Sequence, residues 1–172
     1  MKKIEYVNQN ILALGRHLNF ISDYVMLPNG KYSNREYLAA KAEAVVVAAL
    51  DNKRQVVLVK QYRYPVKNEV WELPAGVIDS NETIIKTAER ELKEETGYSS
   101  TNFKHLISFY ASPGISTEVL HLVLAWDIKL GKQKLDEEEN IEVIKIPLYK
   151  AKEWILTGKI RDAKTIIGVL SL

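Results

Sequence analysis

Apolar and polar positions come in short blocks along most of the chain, interrupted by one stretch with a clear helical period. Phe20 to Leu27 is apolar with polar interruptions, Pro28-Asn29-Gly30 is a turn signal, and Lys31 to Ala39 leads back toward the next strand. The first 40 or so residues therefore predict a small antiparallel β-sheet. Ala44 to Leu50 and Gln55 to Val59 are rich in β-branched residues and are joined by Asp51-Asn52-Lys53-Arg54, a hairpin connection. Val70 to Leu73 is a short strand stopped by Pro74-Ala75-Gly76. The helical period runs from about Thr83 to Thr96, with Ser80 and Asn81 as candidate caps, Glu82 at the positive end of the dipole and Gly97 as the C-terminal stop. Ile84, Ile85, Ala88 and Leu92 form its expected buried stripe. Strands resume at His105 to Ala111, Val119 to Asp127 and Ile141 to Ile146. Two helices follow, Leu148 to Leu156, stopped by Gly158, and Asp162 to Leu172. The pattern predicts an α+β fold, a mixed sheet with helices packed on it, beside the small N-terminal sheet.

Composition narrows the function. With 172 residues and 47 % apolar content, the chain has the makings of a core of its own. It contains no cysteine, which excludes a disulfide scaffold, a thiolate metal site and a cysteine nucleophile. The net charge of +2, with signs well mixed, suggests neither a nucleic-acid track nor a polybasic membrane anchor. Glu5, Asn8, Gln9 and Asn10 stand where a secretory signal needs apolar residues, and the longest apolar run, Ala44 to Leu50, is far short of the roughly 20 residues of a spanning helix. The expected location is the cytoplasm.

Chemistry concentrates between Gly76 and Tyr98. At 100° per residue, Glu91, Glu94 and Glu95 share an arc of about 100° on the flank of the apolar stripe. Such like charges repel one another, and Arg90 offsets only part of that. Carboxylates clustered beside a glycine-containing loop suit a hard divalent cation, whose shell water and phosphate oxygens complete. A solvated acidic helix face is the competing reading of the same residues. The three histidines, His17, His105 and His121, have no triad or metal-spaced company and read as packing or surface groups.

The spacing decides between these. Gly76, five residues, Glu82, seven residues, Arg90-Glu91, Leu92, one residue, Glu94-Glu95, one residue, Gly97 and Tyr98 match the Nudix box at every position. Chance would produce this at one position with a frequency of roughly 10⁻⁹. The chain resembles the Nudix hydrolases, enzymes that cleave nucleoside diphosphates linked to another moiety. The resemblance implies an α/β/α sandwich with a mixed sheet, and a loop–helix–loop that holds Mg²⁺, with Mn²⁺ as a possible substitute. It implies Glu91 and Glu95 as the main metal ligands, Glu94 nearby as a metal or catalytic group, and the Ala75 carbonyl as a further ligand. Glu82, Arg90 and Gly97 take structural duties in the motif.

The flanks resemble the ADP-ribose pyrophosphatase branch through Gln61-Tyr62-Arg63, Glu72-Leu73-Pro74-Ala75-Gly76, Ser112-Pro113-Gly114 and Ser116-Thr117-Glu118. By that resemblance Arg35, Arg63, Gly76, Gly114 and Glu118 bind substrate, and the general base comes from Asp136 to Glu139, with Glu137 first and Glu139 as the alternate. It also implies a homodimer in which residues 1–41 are exchanged between chains while residues 42–172 form the Nudix domain. The expected reaction is Mg²⁺-dependent hydrolysis of ADP-ribose to AMP and ribose 5-phosphate. Hydrolysis of another nucleoside diphosphate sugar, such as GDP-mannose, is the alternative, and a non-catalytic nucleotide sensor is the reading from a different class.

Overall fold

The computed structural model describes residues 3–135 and 140–172 and divides into two compact units, residues 1–43 with 110–119 and residues 44–109 with 120–172. The first unit contains the strands β1 (Glu5–Leu14), β2 (Leu18–Met26) and β3 (Tyr32–Ala40), paired antiparallel in that order. Gly30, at a φ of 80°, closes the turn between β2 and β3 by donating to the Leu27 carbonyl at 2.9 Å. The 110–119 segment attaches to β3: Leu38 donates to the Ile115 carbonyl at 2.9 Å, and Thr117 donates back to the Leu38 carbonyl at 3.0 Å. Strand β1 has no counterpart in the hydropathy pattern. All ten of its residues are exposed and its register with β2 shifts twice, so no inward-facing alternation exists to be read.

The second unit is built on a seven-stranded mixed sheet. Its main path runs β12 (Ile141–Pro147), β5 (Gln55–Arg63), β4 (Ala44–Leu50), β10 (Val119–Trp126), β9 (Asn102–Tyr110), with β6 (Asn68–Glu72) on β5 and β7 (Ala75–Val77) on β4. A separate two-stranded pair joins β8 (Tyr98–Ser99) to β11 (Lys129–Leu130). Strand β4 pairs in parallel with β10 and antiparallel with β7. Helix α1 (Ile84–Thr96) covers one face, while α2 (Leu148–Leu156) and α3 (Ala163–Leu170) cover the other. Because both faces are covered, Val45 to Ala49 are buried without interruption. Val46 and Ala48 pack toward Leu148, Ile160 and Val169, whereas Val45, Val47 and Ala49 pack toward Ala88 and Leu92 of α1.

The helices differ from the expectation in three details. The N-cap of α1 is Thr83, whose hydroxyl accepts from the Lys86 N–H at 3.4 Å; Ser80 and Asn81 lie in the preceding turn, closed by a 2.9 Å bond from Glu82 N to the Asp79 carbonyl. Ile85 is 37 % exposed, because the helix turns Thr87, Glu91 and Glu95 inward beside Ala88 and Leu92. Helix α3 begins at Ala163, with the Asp162 carboxylate capping the Thr165 N–H at 2.9 Å, and it ends at Leu170. Gly97 stops α1 in the left-handed region, φ 73°, and donates to the Lys93 carbonyl. Among the described residues no helix is long and apolar enough to cross a membrane.

Leu92 is fully buried on α1, which among the described residues is the only helix covering its face of the sheet. Leu92→Ala is expected to destabilise the protein by about 2–5 kcal/mol, read as a lower denaturation midpoint in a urea titration.

Candidate active site

Strand β7 and helix α1 meet where the backbone of Gly76 passes the Glu91 carboxylate so closely that a Cβ at position 76 would overlap it. Only glycine allows this approach. Glu91 and Glu95, one turn apart on α1, are buried at 8 % and 4 % exposure. The Ala75 N–H donates to Glu95 Oε2 at 3.0 Å, so the strand fixes one carboxylate oxygen.

Arg90 organises the acidic side chains around it. Its Nε and Nη2 bind the Glu82 carboxylate at 2.9–3.2 Å, Nη1 reaches Glu91 at 2.5 Å and Glu94 at 3.2 Å, and Nη2 also donates to the Val77 carbonyl at 3.0 Å. The Thr87 hydroxyl adds a 2.9 Å bond to Glu82. Hydrogen bonds from Arg90 hold the Glu82 carboxyl below its ordinary value despite some burial, and donating those bonds to Glu82 is the foremost cause that raises the Arg90 guanidinium above its own.

A second ionic group lies at the end of β6. Glu72 is 2 % exposed and accepts a bidentate fork from Arg63 (2.7 and 2.7 Å) and a bond from Lys164 Nζ (2.5 Å). Burial pushes the Glu72 carboxyl up, but Arg63 and Lys164 outweigh it and hold the group below its ordinary value. A cavity of about 850 Å³ is lined by these residues together with Glu69, Lys159 and Arg161. In the sequence Glu72 stands out only as part of the Glu72-Leu73-Pro74-Ala75-Gly76 motif, and nothing marks Lys164. No local signal links residues so far apart in the chain.

The C-terminal end of α1 is held by the segment 131–134: Gly131 N donates to the Gly97 carbonyl (2.8 Å), Gln133 Nε2 to the Glu95 carbonyl (2.5 Å) and Lys134 N to the Glu94 carbonyl (3.0 Å). Carbonyls that a helix end leaves without intrahelical partners are thereby satisfied. Two of the three histidines are linked through one hydroxyl. The Ser108 hydroxyl lies 3.0 Å from His105 Nε2 and 2.7 Å from the buried His121 Nδ1.

The remaining expected site residues are distributed as follows. Gly76, Glu82, Arg90, Glu91, Glu94, Glu95 and Ala75 gather around α1, with Glu94 more exposed than Glu91 and Glu95. Arg63 directs Nε and Nη2 to Glu72. Arg35, Gly114 and Glu118 belong to the first unit. There, Arg35 is exposed and donates to Ser33 Oγ at 3.0 Å, Gly114 is open, and Glu118 is half-buried with its N–H on Ser116 Oγ at 3.1 Å. Glu137 and Glu139 lie outside the described residues.

Among the described residues, no three His, Asp or Glu side chains stand as a group that could hold a metal ion. Glu91 and Glu95 nevertheless offer hard oxygen donors, kept from bulk water, with the Glu91 carboxylate seated against the Gly76 backbone. That donor set fits a divalent cation of the Mg²⁺ type.

A two-sided mixed sheet between helices, with a buried pair of carboxylates on the helix that follows a glycine strand, defines an α/β/α scaffold. Residues 40–166 match the NUDIX domain, and the chain belongs to the Nudix family as a Nudix pyrophosphohydrolase. It is 40 % identical over 157 residues to the methanol dehydrogenase activator of Bacillus methanolicus, and 36 % identical over 157 residues to the ADP-ribose pyrophosphatase of Bacillus subtilis. Each alignment covers 90 % of this chain and 84 % of the relative. Identity to the GDP-mannose pyrophosphatase of Escherichia coli (SMS-3-5) is 34 %, over 67 % of this chain and 64 % of that one. A crystal structure of an ADP compounds hydrolase superposes with a TM-score of 0.89 at 21 % identity, covering 99 % of this chain and 92 % of the other, which shows the same fold.

The Glu72 pairing has a pH signature. Its folded-state value lies below the unfolded one, so it stabilises the fold above about pH 4.3 and the contribution is lost as pH falls through the folded value. Glu72→Gln is expected to be less stable than the wild type at pH 7 and to lose less further stability below about pH 4.3, measured by denaturant titrations across that range.

Proposed function

We propose that the protein catalyses Mg²⁺-dependent hydrolysis of the diphosphate bond of ADP-ribose, giving AMP and ribose 5-phosphate, in the cytoplasm. The observation that carries this reading is the buried Glu91–Glu95 pair, held against the Ala75–Gly76 strand. Glu91, Glu95 and the Ala75 carbonyl are the groups that hold the cation, with Glu94 beside them and Mn²⁺ able to replace Mg²⁺. When bound, the cation neutralises diphosphate charge and makes a coordinated water more acidic. Arg90 and Glu82 keep the ligand carboxylates in one orientation, and Gly97 ends their helix. Glu137 takes the proton from the attacking water, with Glu139 as the alternate base. Arg63, Arg35, Gly76, Gly114 and Glu118 serve substrate binding; a planar guanidinium suits both phosphate oxygens and stacking on a base.

The substrate assignment leans on the 36 % identical ADP-ribose pyrophosphatase of Bacillus subtilis. Likeness to the GDP-mannose pyrophosphatase favours other nucleoside diphosphate sugars as the second reading. Chromatography of products after incubation with ADP-ribose tests the choice. AMP that forms only with added Mg²⁺ supports the first reading; turnover of GDP-mannose alone supports the second. Glu91→Gln and Glu95→Gln should each lower kcat by at least about 10²-fold in that assay, because their interactions serve the transition state. Near wild-type rates would remove them from the metal site.

We further propose a homodimer in which residues 1–41 are exchanged and residues 42–172 form the Nudix domain. Within the first unit, Tyr6, Ile11, Leu12 and Leu14 on β1 are 65, 56, 49 and 74 % exposed, an apolar surface unusual for a solvated strand. Sedimentation should give twice the mass of one chain, and a clean monomer would remove the exchange.

A further inference from the structure

We propose that Asp162, Lys164 and Thr165, at the start of α3, are positioning residues for the metal-binding carboxylate Glu95. The proposal rests on the metal-dependent reading above. The sheet is interrupted where β6 ends at Glu72 and β7 begins at Ala75, so Leu73 and Pro74 lie between strands. Leu73 is 1 % exposed and its N–H cannot turn to water, while Pro74 has no N–H at all. The Leu73 N–H instead donates to Thr165 Oγ1 at 2.8 Å. Thr165 is fully buried, and its hydroxyl donates to Asp162 Oδ2 at 2.6 Å, which fixes its rotor so that a lone pair faces Leu73.

Asp162 is held in turn by Lys164 Nζ at 2.9 Å, and the same ammonium reaches Glu72 Oε2. Helix α3 thus grips two consecutive residues, Glu72 by its side chain and Leu73 by its backbone. The Pro74 carbonyl takes the Val47 N–H at 2.8 Å, so the next peptide is tied to β4. The residue after it is Ala75, whose N–H sets Glu95 Oε2 and whose carbonyl is proposed above as a metal ligand. The Asp162 carboxylate would cap α3 through the Thr165 N–H even without the hydroxyl. The hydroxyl's added service is to the strand that meets Glu95.

The test measures Mn²⁺ binding to the full-length protein by electron paramagnetic resonance, alongside kcat and KM at low and saturating metal. Thr165→Val, equal in size but without the hydroxyl, should raise the Mn²⁺ dissociation constant about tenfold, the scale of loss when a partner behind a metal ligand is removed. It should lower kcat at low metal and recover at saturating metal, with KM for substrate unchanged. Thr165→Ser, which keeps the hydroxyl, should bind Mn²⁺ as the wild type does, and Lys164→Met should weaken binding in the same direction as Thr165→Val. Wild-type Mn²⁺ binding by Thr165→Val, or equal impairment of the Ser and Val variants, overturns the proposal. If Thr165→Val does not fold, unchanged Mn²⁺ binding by Lys164→Met overturns it. A wild type that binds no Mn²⁺ overturns the metal-dependent reading and this inference together.

Discussion

Crowding of negative charge on one helix is the constraint around which the rest of the second unit is arranged. Glu91, Glu94 and Glu95 lie within two turns, two of them buried, and Glu82 folds back toward them from the preceding loop. Arg90 makes this arrangement possible. Its planar fork serves three carboxylates and the Val77 carbonyl at once, which the compact ammonium of a lysine could not do. The same guanidinium that relieves the repulsion also ties the loop to the helix, so the orientation of Glu91 and the path of residues 77–82 are one structural fact.

The helix is held from several sides by different kinds of interaction. Apolar packing of Ala88 and Leu92 against Val45, Val47 and Val57 supplies non-directional attachment to the sheet. Direction comes from polar contacts: Arg90 at the loop, Ala75 at the strand, and residues 131–134 at the C-terminal carbonyls. The Glu72 group extends this to the opposite layer, because Lys164 and Thr165 belong to a helix that packs on the other face of the sheet. Measured against a well-packed apolar replacement, a buried carboxylate with two cationic partners adds little stability, although the loss of one partner is costly. Its value here is in directing the strand it ends.

Local chemistry was legible in the sequence wherever it repeated over a short distance. Helix α1, its glycine stop, the β-branched strands and the two final helices follow from periodicity and turn residues. The spacing of Gly76, Glu82, Arg90, Glu91, Glu94 and Glu95 pointed to their gathering. Three things were not legible. Strand β1, with every side chain exposed, carries no period-two signal. The cap passed from Ser80 or Asn81 to Thr83 because a turn at 79–82 claims the earlier residues, and hydropathy does not report such a turn. The Glu72–Arg63–Lys164 group joins two strands to a helix about ninety residues away, and such pairings are made by topology alone.

The parallel pairing of β4 with β10 has a consequence for how the chain reaches this state. Leu120 aligns with Ala44, and everything between them, including the whole of α1 and β7, is enclosed by that one long-range closure. Parallel strands cannot be zipped from a tight hairpin, so the entropic cost of closing a long loop falls before the ladder yields its reward. The carboxylate helix can form its own turns early. Its sheet is complete only once the second half of the chain has been made, and a nascent chain ending before β10 would display the acidic helix on an unfinished sheet edge, a state in which pairing with other chains competes with folding.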